Sequence, residues 1–461
     1  MNNLIPQSPF LLWVNLGMSL VVTMLGFGLG FYQGLQAQIV ILYSIISFAF
    51  LIWALNYLAS ALEARHFTKS APEGTYATHR NVNVAALWES NRAQIIAMGL
   101  LLLAYLIGAA TVPTFRTVRH LLAFLVLEVI VILAFLIGRR FEHSRSAFIG
   151  LIVLVALIVI SSFTLEGFLS GASIKAILLF ASFLGIACVG QTLVALMGGL
   201  DLSIPYLVGA SNIGLLYVIG LGVPSWLALI AVLVVGTIFG FINGVLTFRL
   251  QGQALILTLG TGFFLAGLVQ IMTSIGSSFS GNVFGTVPPW LSNFAAMNGE
   301  TFGLAVPPTI LLWIVIAVVV IAGLRYSAFG RHIYALGGNR RSAKLIGISE
   351  FKCWTMCYAI SGFFAAVTGC LLLGWSGGGF IGVGNQYLFT TLAAVVIGGT
   401  SLLGGYGGYG YTVIGVLVLQ VLTAFLIGVG LKYEWQQFIF GLLILPMVAL
   451  YGRSPHIRST V

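Results

Sequence analysis

Charged side chains are what this chain has least of: Asp, Glu, Lys and Arg make up 7% of its 461 residues, against roughly 25% in an ordinary soluble domain. With 59% hydrophobic residues beside that scarcity, a water-soluble globular fold is excluded. Cysteine is scarce too. Cys188, Cys353, Cys357 and Cys370 all lie inside apolar stretches, which excludes a disulfide framework or a zinc site of ordinary spacing and leaves them as small apolar packing residues. No Gly-Lys dipeptide occurs, so the phosphate-cradling G-x-x-x-x-G-K-[ST] loop is absent and the chain alone is not expected to hydrolyse ATP. There is no H-E-x-x-H and no grouping of Ser, His and Asp; four of the six histidines fall in loops or tails and two flank apolar runs. No catalytic residue, metal ligand or cofactor motif is therefore assigned. The first apolar run lacks a basic flank and an A-x-A-like exit, so no cleavable leader is expected.

What is present is a series of long apolar runs. A bilayer core of about 30 Å needs about 20 apolar helical residues, and lipid tolerates no unpaired backbone. Each run then reads as one span, and the fold class is an all-α polytopic membrane protein of about fourteen spans. Four lie near 8–31, 37–62, 94–112 and 121–138. The others lie near 146–165, 176–197, 203–222, 225–248, 254–275, 307–325, 353–374, 387–403, 411–430 and 436–451.

The formal charge of +10 comes from short basic clusters between runs, which speaks of membrane orientation and not of nucleic acid. If the spans alternate, sixteen of the twenty Lys and Arg fall on one side, and only Arg116, Arg119, Lys175 and Lys432 on the other. That asymmetry puts both termini in the cytoplasm. Glycine, 57 residues, is abundant. Gly236, Gly240 and Gly244, like Gly26, Gly30 and Gly34, recur every four residues and make small faces for close helix approach, within one subunit or between two. Residues 63–93 form a polar cytoplasmic loop, and Gly138-Arg139-Arg140-Phe141-Glu142-His143 a junction between an early block, 1–140, and the rest, 141–461. Residues 276–306, rich in Ser, Gly, Asn and Pro, form the longest external loop.

Ionisable residues within spans are expensive and are functional candidates by default. Glu128, in Leu125-Val126-Leu127-Glu128-Val129-Ile130, is the one acid near the middle of a run, either a proton carrier or a hydrogen-bonded structural acid. Asp201, in Gly198-Gly199-Leu200-Asp201-Leu202-Ser203-Ile204-Pro205, falls at the break between two spans and reads as a cap of the next helix, with Pro205 in its first turn. A basic cytoplasmic patch runs from Phe329 to Ile348. There Asn339 is a good N-cap, Arg340 to Ile346 make about two turns, and Gly347 suits the left-handed position that ends a helix. Such a helix is either a topological anchor or a docking element.

Three motifs resemble one family, the membrane permeases of bacterial ATP-binding-cassette (ABC) importers for ribose, xylose, arabinose and related sugars. Gly190-Gln191-Thr192 with Gly198-Gly199-Leu200-Asp201-Leu202-Ser203 is similar to its G-x-T…G-G-I-D-L-S run. Gly330-Arg331-His332-Ile333-Tyr334-Ala335-Leu336-Gly337-Gly338-Asn339, with Ala343 and Gly347-Ile348, is similar to G-R-x-I-Y-A-x-G-G-N…A…G-I. The run from Ala393 to Gly407 is similar to A-A-V-V-x-G-G-T-S-L-x-G-G-x-G. The resemblance covers about 145–461 and departs from the family at Ile204-Pro205 and at the uncharged Tyr387-Leu388-Phe389-Thr390-Thr391. It implies a ten-span core that dimerises around a central path, with ATPase subunits below and an extracytoplasmic solute-binding protein above. Arg331, Gly338, Asn339, Arg340, Arg341, Ala343, Lys344 and Gly347 then belong to the helix that couples to the ATPase.

The function expected is a permease subunit in the bacterial cytoplasmic (inner) membrane, taking up a small neutral polar solute such as a monosaccharide. Gln191, Thr192, Asp201, Asn385, Gln386, Thr390 and Gln420 are the candidates for lining the path, offering hydrogen bonds without a counter-ion. The competing readings are a proton-coupled secondary transporter using Glu128, which calls for inverted repeats not visible in the sequence, and a non-transporting scaffold. The four early spans match nothing in the family. They read as a degenerate permease piece, a partner-binding module or an accretion.

Overall fold

The computed structural model describes residues 145–441 apart from 251–253, 276–280, 302, 304, 433 and 435. The four early spans, Glu128, the 63–93 loop, the Gly26-Gly30-Gly34 face, the end of the 436–451 span and both termini lie outside the described residues.

The described chain is helical, as lipid requires. In order come α1 (Arg145–Thr164), α2 (Gly171–Leu196), α3 (Ile204–Gly220), α4 (Ser225–Arg249), α5 (Ala254–Ser274), β1 (Asn282–Val283), α6 (Pro289–Ala295), α7 (Pro308–Tyr326), α8 (Ala328–Gly338), α9 (Arg340–Leu345), α10 (Glu350–Ser376), β2 (Gly379–Phe380), a 3-10 turn (Ile381–Gly384), α11 (Tyr387–Gly398) and α12 (Tyr409–Gly428). Local chemistry sets several starts. Ser170, Ser327, Asn339 and Ser349 accept backbone N–H bonds as N-caps of α2, α8, α9 and α10, while proline opens α6 and α7. Among the described residues, seven helical segments are long and apolar enough to cross a membrane: α2, α4, α5, α7, α10, α12 and the composite Ile381–Gly398. The chain is thus a polytopic helical membrane protein. β1 and β2 form a two-stranded antiparallel pair, Asn282 opposite Phe380.

The core is built around α10, which is buried along most of its length. It runs antiparallel to α2: Phe180 near the start of α2 stacks edge-on against Trp375 at the end of α10, with centroids 5.1 Å apart. The two helices touch where Gly190 meets the backbone of Ser361. On its other side α10 meets α4 through glycine. A Cβ on Gly236 would stand 2.6 Å from the Cβ of Ala366, and one on Gly244 2.7 Å from the Cα of Thr355. Gly240 lies on the backbone of Tyr358 and Gly362. The Gly236-Gly240-Gly244 face is therefore a contact within the subunit, where backbones approach as no larger residue allows.

Two segments are broken where continuous spans are expected. α3, 17 residues long, starts only after an irregular stretch, 197–203, that turns back along α10. The span expected at 387–403 is a helix of 12 residues. It ends at Gly399, φ 100°, because the following glycines Gly404, Gly405, Gly407 and Gly408 also have positive φ and hold a turn no helix can continue. The two irregular stretches meet: a Cβ on Gly198 would stand 3.0 Å from Leu403 O, and one on Gly404 3.0 Å from Gly198 N. The 3-10 turn ahead of α11 packs on α3, Gly384 on the carbonyl of Pro205 and Gly209 on the carbonyl of Ile381. Pro205 sits in the first turn of α3 and needs no N–H there.

The Gly240 crossing gives a test. Gly240→Val drives a branched side chain into the α10 backbone, and overpacking of this kind costs about 3 kcal/mol or more. The variant is expected to melt well below wild type by fluorescence-detected size exclusion in detergent. Gly267→Ala, with nothing within 4 Å of the new Cβ, is expected to leave the melting temperature unchanged or slightly raised.

Candidate functional site

The three motifs converge on one place, the C-terminal end of α2. α2 ends in a Schellman turn: Gly198, at φ 77°, donates its N–H to Ala195 O, and Gly199 donates to Val194 O. That leaves the carbonyls of Leu196 and Met197 to be satisfied from outside. Gly405 N–H donates to Leu196 O at 2.9 Å, and Arg340 Nη2 donates to Met197 O at 3.1 Å. Gly337 packs against the same Leu196 carbonyl and against Gly405. The glycines of the second and third motifs thus clear the way for backbone to reach the end of the first. Tyr334 completes the junction, its hydroxyl donating to Gly407 O at 2.8 Å. Burial, with Tyr411 nearby, pushes this phenol above its ordinary value and keeps it a donor.

The basic patch is a helix pair. α8 buries Ile333 and Leu336 against Val189, Leu193, Leu196 and Met197 of α2. Asn339 ends α8 in extended conformation and caps α9, its Oδ1 accepting from Ser342 N–H at 3.0 Å. Gly347, at φ 81°, closes α9 in a second Schellman turn, with Gly347 N–H on Lys344 O and Ile348 N–H on Ala343 O. Ala343 is the buried foot of α9. Arg331, Gly338 and Arg341 are exposed. So are Leu345 at 88% and Ile346 at 74%, an apolar tip with no cover among the described residues.

The bases of α9 do not all face outward. Glu350, in the first turn of α10 and 8% exposed, lies 3.3 Å from Arg340 Nη1 and 2.6 Å from Lys344 Nζ. The Arg340 guanidinium also lies over the Trp354 ring, 5.0 Å from its centroid. Arg340 and Lys344, about half exposed themselves, are each tied to Glu350, and Arg341 is the base of α9 that this carboxylate does not reach. Glu350 was missed from sequence, although a lone acid six residues after the last base of the run, Lys344, is a signal that could have flagged it.

The expected path-lining residues fall into two groups. Gln191, Thr192 and Asp201 are buried in the subunit. Thr192 shares a 2.8 Å hydroxyl contact with Thr412, while both side-chain polar atoms of Gln191 lack a partner among the described residues. Asp201 is not the cap of α3; that position is Ser203. From two residues upstream, Asp201 Oδ1 accepts from the N–H and hydroxyl of Ser203 at 3.0 and 2.6 Å, and Oδ2 accepts from Ser361 Oγ at 2.7 Å. Asn243 Nδ2 in turn donates to Ser203 Oγ at 2.8 Å. This knot ties the break to α4 and α10. Asn385 and Gln386 are exposed at the start of α11, with Thr390 one turn on, and Gln420 is half-buried on α12. The start of α11 thus presents two amides outward, with the half-buried Thr390 hydroxyl donating to Gln386 O, while the break at 197–203 is sealed.

Residues 173–448 match the family described as the branched-chain amino acid transport system / permease component. The chain is 33% identical over 320 residues to the ribose import permease protein RbsC of Haemophilus influenzae, covering 68% of this chain and 94% of that one. It is 30% identical over 321 residues to the fructose import permease protein FruG of Bifidobacterium longum, covering 68% and 92%. To RbsC of Escherichia coli K12 it is 32% identical over 312 residues, covering 66% and 93%. The motifs that join at the foot of α2 lie within the matched stretch, and the chain belongs to the family of ABC importer permease components: it is a multi-pass membrane subunit of a transport system, not an enzyme.

Proposed function

We propose that the chain is one permease subunit of a bacterial inner-membrane importer for a small neutral polar solute, a monosaccharide. The observation that carries this reading is the helix pair α8–α9, fastened to the end of α2 and ending in the bare tip Leu345-Ile346 beside Arg341. An exposed apolar tip rimmed by a base is a docking surface for a soluble protein, and the absence of a phosphate loop calls for that protein to be the ATPase. The relatives named as ribose and fructose import permeases favour a sugar over the amino acid in the family's description. So does the chemistry: at the start of α11, Asn385, Gln386 and Thr390 offer amides and a hydroxyl, and Asp201 is already engaged by three donors. An amino acid would need opposite charges for its ammonium and carboxylate; a sugar needs neither.

On this reading the chain pairs with a second permease copy around the path, two ATPase subunits bind at α9, and a solute-binding protein docks outside over 276–306. The core 141–461 holds ten of fourteen spans, the bases of α8 and α9 face the cytoplasm with both termini, and residues 1–140 form a separate block that the relatives lack.

The purified chain alone is expected to show no ATP hydrolysis above a background set by a Walker-dead control, with turnover appearing only when a partner ATPase is added. Measurable hydrolysis by the uncontaminated chain overturns the reading. Leu345→Asp with Ile346→Asp is expected to weaken ATPase association at least about tenfold, because an interface centre tolerates no desolvated charge. Arg341→Glu is expected to weaken it less, and less again at high salt, because exposed charges are screened. Wild-type ATPase affinity for all three substitutions together would make α9 a topological anchor. A chain beginning near Phe141 is expected to insert and still bind the ATPase; normal insertion with lost binding would make the first block part of the interface.

A further inference from the structure

We propose that Glu350 is the positioning residue that ties the docking pair to the break at 198–203, so that movement of α9 reaches the path. The inference rests on the importer reading above and adds a residue and a route to it. One carboxylate, 8% exposed, uses both oxygens on bases one turn apart on α9, whose own side chains stay about half exposed: Oε1 to Arg340 at 3.3 Å and Oε2 to Lys344 at 2.6 Å. Arg340, held by one nitrogen, grips Met197 O with the other at 3.1 Å. Met197 is the last residue before the Gly198 turn that opens the break.

The same helix that carries Glu350 touches the break directly. Trp354, one turn on, lies under the Arg340 guanidinium and donates its Nε1–H to Thr247 Oγ1 at 2.9 Å. Tyr358, one turn further, donates its hydroxyl to Leu200 O at 3.0 Å. Ser361 then reaches Asp201 itself. From α9 to Asp201 the route is a line of polar contacts, each with a defined partner.

Stability alone does not account for this arrangement. Ion pairs whose basic side chains are about half exposed are worth little net stability, and Ile333, Leu336 and Ala343 already bury the helix pair against α2 and α10. What the carboxylate adds is direction. It draws the Arg340 and Lys344 head groups to the start of α10, leaving Arg341, Leu345 and Ile346 to meet a partner, and it makes Met197 move with α9.

The test uses the full chain assembled with its partner ATPase in lipid nanodiscs, with Asn385→Cys as reporter. Asn385 is exposed at the start of α11, beside Gly384 where it packs on Pro205 at the start of α3, and the four native cysteines are buried. Maleimide labelling of Asn385→Cys is measured without nucleotide and with ATP plus vanadate. In the Glu350 background the rate is expected to change at least about fivefold, the low end of ordinary coupling between sites. Glu350→Gln, which keeps shape and removes charge, is expected to reduce that change below about twofold while assembly and the melting temperature of the complex stay as in wild type. Glu350→Asp, which keeps the charge at shorter reach, is expected to recover part of it. Full nucleotide-dependent labelling in Glu350→Gln overturns the proposal, and so does a loss that follows falling assembly or melting temperature in both variants. If the Glu350 background itself shows no nucleotide dependence although the ATPase binds, the importer reading falls with it.

Discussion

A helix that ends against other helices must find donors for its last carbonyls, because neither lipid nor a packed interior supplies water to take them. At the end of α2 the Schellman turn of Gly198 and Gly199 takes Ala195 O and Val194 O, and Leu196 O and Met197 O are left over. Their donors come from far away in the chain: Gly405 N–H from the glycine turn after α11, and the Arg340 guanidinium from α9. Arg340 also places positive charge at the negative end of the α2 dipole. Three distant stretches are thereby obliged to meet, and the docking pair, the start of α10 and the break at Asp201 are assembled around that meeting.

This explains which parts of the chain were legible in its sequence. α9 was, because its limits are local: Asn339 caps Ser342 and Gly347 supplies the left-handed turn, all within nine residues. The apolar runs were legible for the same reason. What could not be read is which base of α9 faces inward. Arg340, Arg341 and Lys344 are equivalent in a linear reading, and only the fold brings Glu350, Met197 O and Trp354 to two of them. Asp201 shows the same limit. Its neighbours suggested a cap, but the cap position is Ser203, and the carboxylate is claimed by Ser361, 160 positions away.

The glycine faces and the breaks mark the other side of that limit. A repeat of glycine every fourth residue announces a close helix approach without naming the partner; for Gly236, Gly240 and Gly244 it is α10 of the same subunit. The run at 387–403 is apolar enough to read as one span, because hydropathy does not register the left-handed glycines that stop α11 at 398. Nor does the sequence display that the 3-10 turn before α11 lies on the start of α3, Gly384 against the Pro205 carbonyl.

Asp201 bears on how such a protein handles a neutral cargo. A bare carboxylate beside the path would attract cations and hold water, and its burial without partners would be costly. Here two hydroxyls and one backbone N–H bind it, Asn243 braces one of the hydroxyls, and the N-terminus of α3 two residues on adds a favourable dipole. The charge is thereby used as a fastener between α3, α4 and α10 and is withdrawn from the surface at the breaks. At the start of α11 the exposed polar groups are instead the neutral amides of Asn385 and Gln386, which hydrogen-bond without a counter-charge. The fastener is also the inner end of the polar line from α9, in which Arg340 holds Met197 O, Tyr358 holds Leu200 O and Ser361 holds Asp201.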